Sequence, residues 1–240
     1  MANPHFQSMI TFAGNTVPTK HKKELPMFQQ YASDQTFYGY SNDFFTYTAG
    51  DWTITSTDGG TDSGEVIQAT SSAGGALIIT TNDADNDSEE LQLKGEAFKL
   101  STSKRAYFSA RFKLSDATQS DMKIGLAITD TTAIDGVSDG VFFTKDDGDT
   151  NLDFVIEKDS TETETAAIAT MADDTFVTAT WFIDPDRDAV YYSVNNAEPV
   201  KIANTNLPDD EELTITIAIQ AGAAAAKSLV VDYVTAIIER

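Results

Sequence analysis

The sequence predicts an all-β protein, a two-sheet antiparallel sandwich that follows an extended N-terminal arm. Three observations support this fold class. Apolar and polar residues alternate in one short run after another from residue 44 onward, clusters of turn residues separate the runs, and the stretches between runs lack a helical period. Of the 240 residues, 41% are hydrophobic and 22% are charged, which is enough apolar material for a core. We therefore divide the chain into an arm, residues 1–43, and a sandwich domain, residues 44–240.

The clearest strand pattern is Arg105–Leu114, in which every second residue is apolar and the intervening residues are polar or tyrosine. This alternation predicts one buried and one solvated face. Ser228–Ile238 is apolar on both faces, which is typical of a central strand. The other predicted strands are Trp52–Ser56, Glu65–Thr70, Ala76–Thr81, Glu89–Lys94, Met122–Ile128, Leu152–Ile156, Val177–Ile183, Val190–Val194 and Leu213–Ile219. The residues predicted to lie inside the sandwich are Phe108, Phe112, Ile124, Leu126, Phe154, Trp181, Ile215 and Ile217.

Turn clusters separate these runs. They are Asp58–Gly60, Asn82–Asp87, Asp135-Gly136, Asp146–Asp149, Asp184–Asp186 and Asn195-Asn196. Such residues accept positive φ or bond their own backbone, so they favour chain reversal over strand continuation. By propensity alone, Ala221–Lys227 is predicted to form one helical turn.

The composition excludes several classes of function. The chain has no cysteine, and its only histidines, His5 and His21, lie near the N-terminus. Disulfides, thiolate nucleophiles and Cys-ligated metals are therefore excluded, and from residue 22 onward no imidazole is present for a triad or a metal. We predict no catalytic residue, no cofactor and no metal.

The charge balance also bears on partners. Sixteen Lys+Arg against 38 Asp+Glu give a formal net charge of −22, which repels phosphate backbones and anionic lipid. We therefore expect neither nucleic-acid nor membrane binding. No apolar run reaches the length of a membrane span, and the first residues lack a signal-peptide pattern, so we expect synthesis in a cytoplasm.

One carboxylate motif is typical of an enzyme. Residues 157–162 spell E-x-D-x-x-E, which resembles the nucleophile, helper and acid of laminarinase-type glycoside hydrolases. If the motif continued as one strand, Glu157 and Asp159 would share a face, and a bulge would bring Glu162 beside them. However, the motif continues into the polar stretch Thr161–Thr165, whose composition is typical of a solvent-exposed hairpin turn. In addition, no tryptophan lies near the motif in the sequence. We predict that it does not hydrolyse glycosides.

Two further acidic stretches raise the question of calcium. Asp83–Glu89 has acidic residues at alternate positions, but an EF-hand would need glycine where Ser88 stands and glutamate where Lys94 stands. Asp146–Asp149 is a similar case. Solvated turns, with side chains bonded to the backbone, are the favoured interpretation of both.

The arm differs from the rest of the chain. Residues 1–43 hold three basic and three acidic residues, so residues 44–240 carry the whole excess of 22 negative charges. The arm is rich in aromatic residues but has no core pattern of its own. It is therefore either a strap packed on its own domain or an arm that reaches a neighbouring subunit, where the basic cluster 20–23 would contact an acidic partner. The predicted assembly residues are Phe6, Phe12, Lys20, Lys22, Lys23, Phe28, Tyr31 and Phe37.

Several segments carry a family resemblance. They are Gly75–Thr81 with Asp85–Asp87, the stretch Ser109–Asp121 with Ile124–Thr132, and Ser138–Asp149 with Leu152–Phe154. Together they resemble a family of tailed-phage virion structural proteins that is common among marine and T7-like phages. The resemblance covers residues 45–240 and leaves out the arm. It implies a concanavalin A-like jelly roll and no catalytic residues.

The resemblance further implies a capsid decoration (cement) protein on the exterior of the virion, with the major capsid protein as partner. We expect a closed homo-oligomer, with a trimer favoured over a dimer. The alternative is a carbohydrate-binding module of a phage head or tail fibre that contacts a host-surface glycan. A laminarinase-like hydrolase is the third alternative.

Overall fold

The computed structural model describes residues 37–59, 66–69 and 73–240. These residues form fifteen strands and two short 3-10 helices, Ala49–Asp51 and Pro185–Arg187. The strands are β1 (Phe37–Asn42), β2 (Trp52–Thr57), β3 (Val66–Ala69), β4 (Leu77–Thr80), β5 (Ser88–Leu93), β6 (Ala106–Leu114), β7 (Ser120–Ala127), β8 (Gly140–Lys145), β9 (Asn151–Lys158), β10 (Thr161–Thr170), β11 (Val177–Asp184), β12 (Ala189–Val194), β13 (Val200–Ile202), β14 (Thr214–Ala221) and β15 (Ser228–Glu239). Over these ranges, neither helix has the length or the apolar character of a membrane span.

The strands form two antiparallel sheets. The eight-stranded sheet has the order β13-β12-β11-β6-β15-β4-β3, and β1 also pairs with β15. The seven-stranded sheet has the order β10-β9-β8-β7-β14-β5-β2. β15 is central, as its two apolar faces predict: β6 lies along one side, and β4 and β1 share the other. This confirms the predicted two-sheet sandwich.

The core lies between the two sheets. All eight residues predicted to be inside are 0% exposed, from Phe108 on β6 to Ile217 on β14. Aromatic pairs fill the centre: the ring centroids of Phe108 and Trp181 are 5.8 Å apart, and those of Phe143 and Phe154 are 5.0 Å apart. Such contacts add to the free energy gained by burying the rings.

Three local expectations differ from the structure. The polar stretch after residue 160 is part of the long strand β10, and the turn lies earlier, where Asp159 and Ser160 have φ of 50° and 57°. The helical turn predicted over Ala221–Lys227 is wrong: tertiary bonds fix this segment, since Gly222 N donates to Gln119 O and Lys227 N donates to Thr81 Oγ1. Strands β1, β8 and β13 were not among the runs predicted from alternation.

A loop closes the outer face of the seven-stranded sheet. Residues 128–139 place Ala133 and Val137 against Phe142 and Val155, which point away from the main core and form a second apolar cluster. Polar bonds hold the loop: Glu90 accepts from Ala133 N, Gln92 Nε2 donates 2.9 Å to the carbonyl of residue 128, and Gln92 Oε1 accepts from residue 130. The middle of this outer face is therefore buried.

Candidate functional site

The outer face of the eight-stranded sheet carries a row of hydroxyl side chains. Strand pairing places them side by side across five strands, from β1 to β12, and we call them the hydroxyl row: Ser41, Thr235, Ser109, Thr180 and Ser193. Neighbours within the row bond each other, with Oγ–Oγ1 distances of 2.8 Å for Ser41–Thr235 and 3.0 Å for Ser109–Thr180. The hydroxyls therefore hold one another in a fixed pattern.

A second row lies next to it, one step along the strands. Pairing aligns Tyr107 of β6, Phe182 of β11 and Tyr191 of β12, and we call them the aromatic row. The buried Ile237 of β15 continues the line beside Tyr107. The rings of Phe182 and Tyr191 are stacked, with centroids 5.0 Å apart and planes 12° apart. The three rings are half-buried, so each presents part of its surface outward. The alternation of Arg105–Leu114 predicted that Tyr107 faces away from the core, but not its neighbours from other strands.

The two rows contain no charged side chain, although the domain that carries them is strongly acidic. Ion pairs lie beyond both ends of the rows along the strands, and one exposed lysine, Lys201 of β13, pairs with Tyr191 at the edge of the face. At one end Arg111 Nη1 bonds Asp232 Oδ2 at 2.5 Å, and at the other Arg105 Nη2 bonds Asp186 Oδ2 at 3.0 Å. The result is a neutral, partly aromatic centre with a polar rim, which is the usual composition of a protein interface.

A cavity of about 310 Å³ opens at the Arg111 end of this face. Ile78 and Val230 contribute apolar surface, and Phe176 forms a wall on which the Arg111 guanidinium stacks 3.9 Å from the ring centroid. Asp232 brings a carboxylate to the same cavity. Apolar surface beside paired donors and acceptors suits a small polar ring molecule, such as one sugar unit.

The E-x-D-x-x-E motif does not lie on a single strand. Glu157 on β9 and Glu162 on β10 are directly opposite each other, and a tight turn brings them together. Asp159 lies in that turn, where its N–H donates to Asp139 Oδ1 at 3.2 Å. Burial raises the pKa of Glu157, an effect that the Lys123 charge opposes and that Glu162 and Asp139 strengthen.

Two facing carboxyls, one with a raised pKa, are part of what retaining glycoside hydrolysis requires. The surroundings provide no sugar platform of tryptophan, because both Trp52 and Trp181 are buried in the core. β10 is also an edge strand, and most of its side chains are exposed or only partly buried. The charge arrangement is present without an indole to bind a sugar ring.

Charged residues also lie beneath the loop at residues 128–139. Glu90 is 3% and Lys123 is 6% exposed, and both point to the outer face of the seven-stranded sheet. Burial raises the pKa of Glu90 and lowers the pKa of Lys123, whose ammonium lies 4.4 Å from the centroid of the Phe142 ring. The alternation of apolar and polar residues could not predict this cluster, because it indicates that the polar face of each strand is exposed to solvent.

The acidic turns bond their own backbone. Asp87 accepts from Gly59 N at 2.5 Å and from Ala84 N at 2.7 Å, and Asp149 accepts from Asn151 N at 2.7 Å. Over the described ranges, no group of three or more acidic or histidine side chains is placed to hold a metal ion. These bonds match the predicted backbone-bonded turns, but Asp87 is 1% exposed, so this part of the first stretch is not solvated as predicted.

Most of the predicted assembly residues lie outside the described residues: Phe6, Phe12, Lys20, Lys22, Lys23, Phe28 and Tyr31. Phe37 is described. It opens β1, pairs with Glu239 of β15 and is 2% exposed, so the last residues of the predicted arm belong to the eight-stranded sheet. This part of the arm is packed on its own domain.

These features define a concanavalin A-like jelly roll, and comparison with solved structures bears this out. A protein of unknown function from Shewanella oneidensis MR-1 matches with a TM-score of 0.58 at 17% identity, covering 85% of this chain and 87% of that one. An endo-1,3-beta-glucanase from Streptomyces sioyaensis matches with a TM-score of 0.57 at 15% identity, covering 85% and 97%.

Peanut lectin matches with a TM-score of 0.53 at 10% identity, covering 84% of this chain and 97% of the lectin. The matches therefore include both a lectin and a glycoside hydrolase, and at these identities they show the fold alone. No protein-family model and no curated protein matches the sequence.

Proposed function

We propose that this protein is a structural component of a phage virion, a decoration protein on the capsid exterior, attached through its N-terminal arm and without catalytic activity. The observation that carries the proposal is the charge-free face formed by the hydroxyl and aromatic rows. On an acidic body, a neutral, partly aromatic face of this kind is suited to contact with protein. The resemblance of residues 45–240 to tailed-phage virion proteins supports the same role.

In this proposal the acidic body and the N-terminal arm have different roles. The acidic body repels other copies and other anionic surfaces, so attachment needs a local device. The arm, with its lysine cluster and aromatic residues, has the composition for that device. The proposed partner is the major capsid protein, and the proposed assembly is a homotrimer.

The test is to incubate the full-length protein with phage heads that lack it and to measure the bound protein after sedimentation. The variant without residues 2–36 should fold but fail to co-sediment. The matched control is Phe45→Glu, since Phe45 is exposed and lies outside both rows. Equal binding by the truncated variant would refute attachment through the arm, and no binding by the intact protein would refute the decoration role.

A second candidate function is glycan binding, which the cavity beside Arg111 and Phe176 favours. The lectin match supplies the fold for it. Arg111→Ala removes both the guanidinium stack and the partner of Asp232, so it should abolish glycan binding on an array or by calorimetry. Lys158→Ala, which removes an ion pair elsewhere on the surface, is the control. Absence of glycan binding by the intact protein would eliminate this candidate.

A further inference from the structure

We infer that the charge-free face of the eight-stranded sheet is the surface that receives residues 1–36 of a second copy of this chain. The inference rests on the proposed function, because it places the arm on a neighbouring copy within the proposed homotrimer, so that the arm serves attachment by holding that assembly together. The hydroxyl and aromatic rows supply the surface, and the first 36 residues supply the occupant.

The first step is electrostatic. Residues 1–36 hold three lysines against Glu24 and Asp34, so their formal charge is +1, whereas the rest of the chain is strongly negative. Two bodies with like charge approach at least cost where neither presents charge, and a weakly positive segment between them lowers the repulsion further. The arm is therefore the part of the chain that another acidic body repels least.

The second step concerns the anchors. Tyr107, Phe182 and Tyr191 stand on neighbouring strands, so their positions are fixed before binding and little side-chain entropy is lost. Aromatic residues dominate the energetic centres of protein interfaces. The arm offers aromatic partners of its own at Phe6, Phe12, Phe28 and Tyr31, and the bonded hydroxyls beside the rings can also bond an extended backbone.

The third step concerns where the arm begins. Phe37 opens β1 on the outer face, one step beyond the pair formed by Gly39 and Ile237, and Ile237 lies in line with the aromatic row. Towards lower residue numbers, β1 runs to the charged end of the sheet, where Arg105 bonds Asp186. The first described residue of β1 therefore lies beyond the rows of its own sheet, which favours exchange between subunits.

The absence of cysteine from the chain permits a direct test. One copy carries Thr180→Cys in the hydroxyl row, and a second copy with a different tag carries Gln30→Cys in the arm. After mixing and mild oxidation, we expect a disulfide-linked product that contains both tags. Phe45→Cys in place of Thr180→Cys is the matched control and should give at least tenfold less product, because Phe45 is exposed but lies off the face.

The solution mass provides an independent readout. Phe182→Glu places a charge in the centre of the aromatic row on a partly exposed side chain, so it should leave the fold intact. The solution mass of the Phe182→Glu variant should be that of the 26.0 kDa monomer, whereas the mass of the intact protein should be a multiple of it. The control variant Phe45→Glu should remain assembled.

The outcomes separate this inference from the proposed function. A chain with both cysteines that links only within itself would show that the arm covers its own face, and it would overturn the inference. A monomeric intact protein that still binds phage heads would also overturn the inference while leaving the decoration role in place. An assembled protein that does not bind heads would support the receiving face and refute the decoration role.

Discussion

At the scale of single residues, the buried carboxylate of Glu90 sets a pH dependence. Because burial raises its pKa, the folded protein binds this proton more tightly than the unfolded chain does. Its contribution to stability is therefore present at acid pH and is lost as pH rises through the raised pKa. Glu90→Gln keeps an oxygen acceptor for Ala133 N and removes the ionisation.

We expect the Glu90→Gln melting temperature to fall less between acid and neutral pH than that of the natural protein, and to be no lower at neutral pH. Thermal unfolding followed by circular dichroism over this range measures both. Glu211→Gln, at an exposed position, is the control and should leave the slope unchanged. A lower melting temperature at neutral pH with an unchanged slope would mean that the carboxylate is needed in its charged form.

The facing pair Glu157 and Glu162 yields a second residue-scale prediction. Glu157→Gln and Glu162→Gln should bind phage heads as the natural protein does, because the proposed function does not use their ionisation. The measurements are co-sedimentation with phage heads and an assay of reducing sugar released from β-glucan. Sugar release that Glu157→Gln abolishes would show that the pair is catalytic, and the non-catalytic assignment would then be wrong.

Individual residues also show where sequence reasoning stops. Alternation placed Phe108 and Trp181 in the core, because inward and outward positions repeat every two residues along a strand. It identified Tyr107 as outward but could not align it with Phe182 and Tyr191, because strand neighbours depend on the order of strands in the sheet. For the same reason it could not show that Glu162 faces Glu157.

At the scale of elements, β1 moves the boundary of the arm. The distribution of charge along the sequence predicted an arm over residues 1–43, but six of those residues form a strand that pairs with β15. A six-residue strand with little alternation gives a weak signal from the chain alone, and only its pairing reveals it. The loop at residues 128–139 was missed for a similar reason, since its apolar residues pack against strands that are distant in sequence.

The new boundary predicts different effects of two deletions. Removing residues 2–36 should leave the melting temperature within a few degrees of the intact protein, because every described strand remains. Removing residues 2–42 also removes β1 and exposes the edge of β15. Burial of Phe37 alone is worth about 1.5–3 kcal/mol, so this second deletion should be clearly destabilised. Denaturant unfolding compares the two, and equal stability would show that β1 contributes nothing to the sheet.

At the scale of the whole molecule, charge and fold act separately. The alternating core determines the sandwich, whereas the excess of acidic residues determines what the surface repels. Composition therefore argued against certain partners and chemistries, and periodicity identified the fold class. Neither could locate the charge-free face, because the rows become visible only when residues from five strands are placed side by side.

The last prediction concerns salt. If the aromatic row supplies most of the association, salt should strengthen it, because screening the repulsion between the strongly acidic bodies outweighs the weaker attraction of the +1 arm. Raising ionic strength from about 0.01 M to about 1 M shortens the screening length from about 30 Å to about 3 Å. Light scattering at several protein concentrations should show tighter association at the higher salt. An interface held by lysine–carboxylate pairs would give the opposite trend, and that result would assign association to the basic cluster 20–23 instead of to the aromatic row.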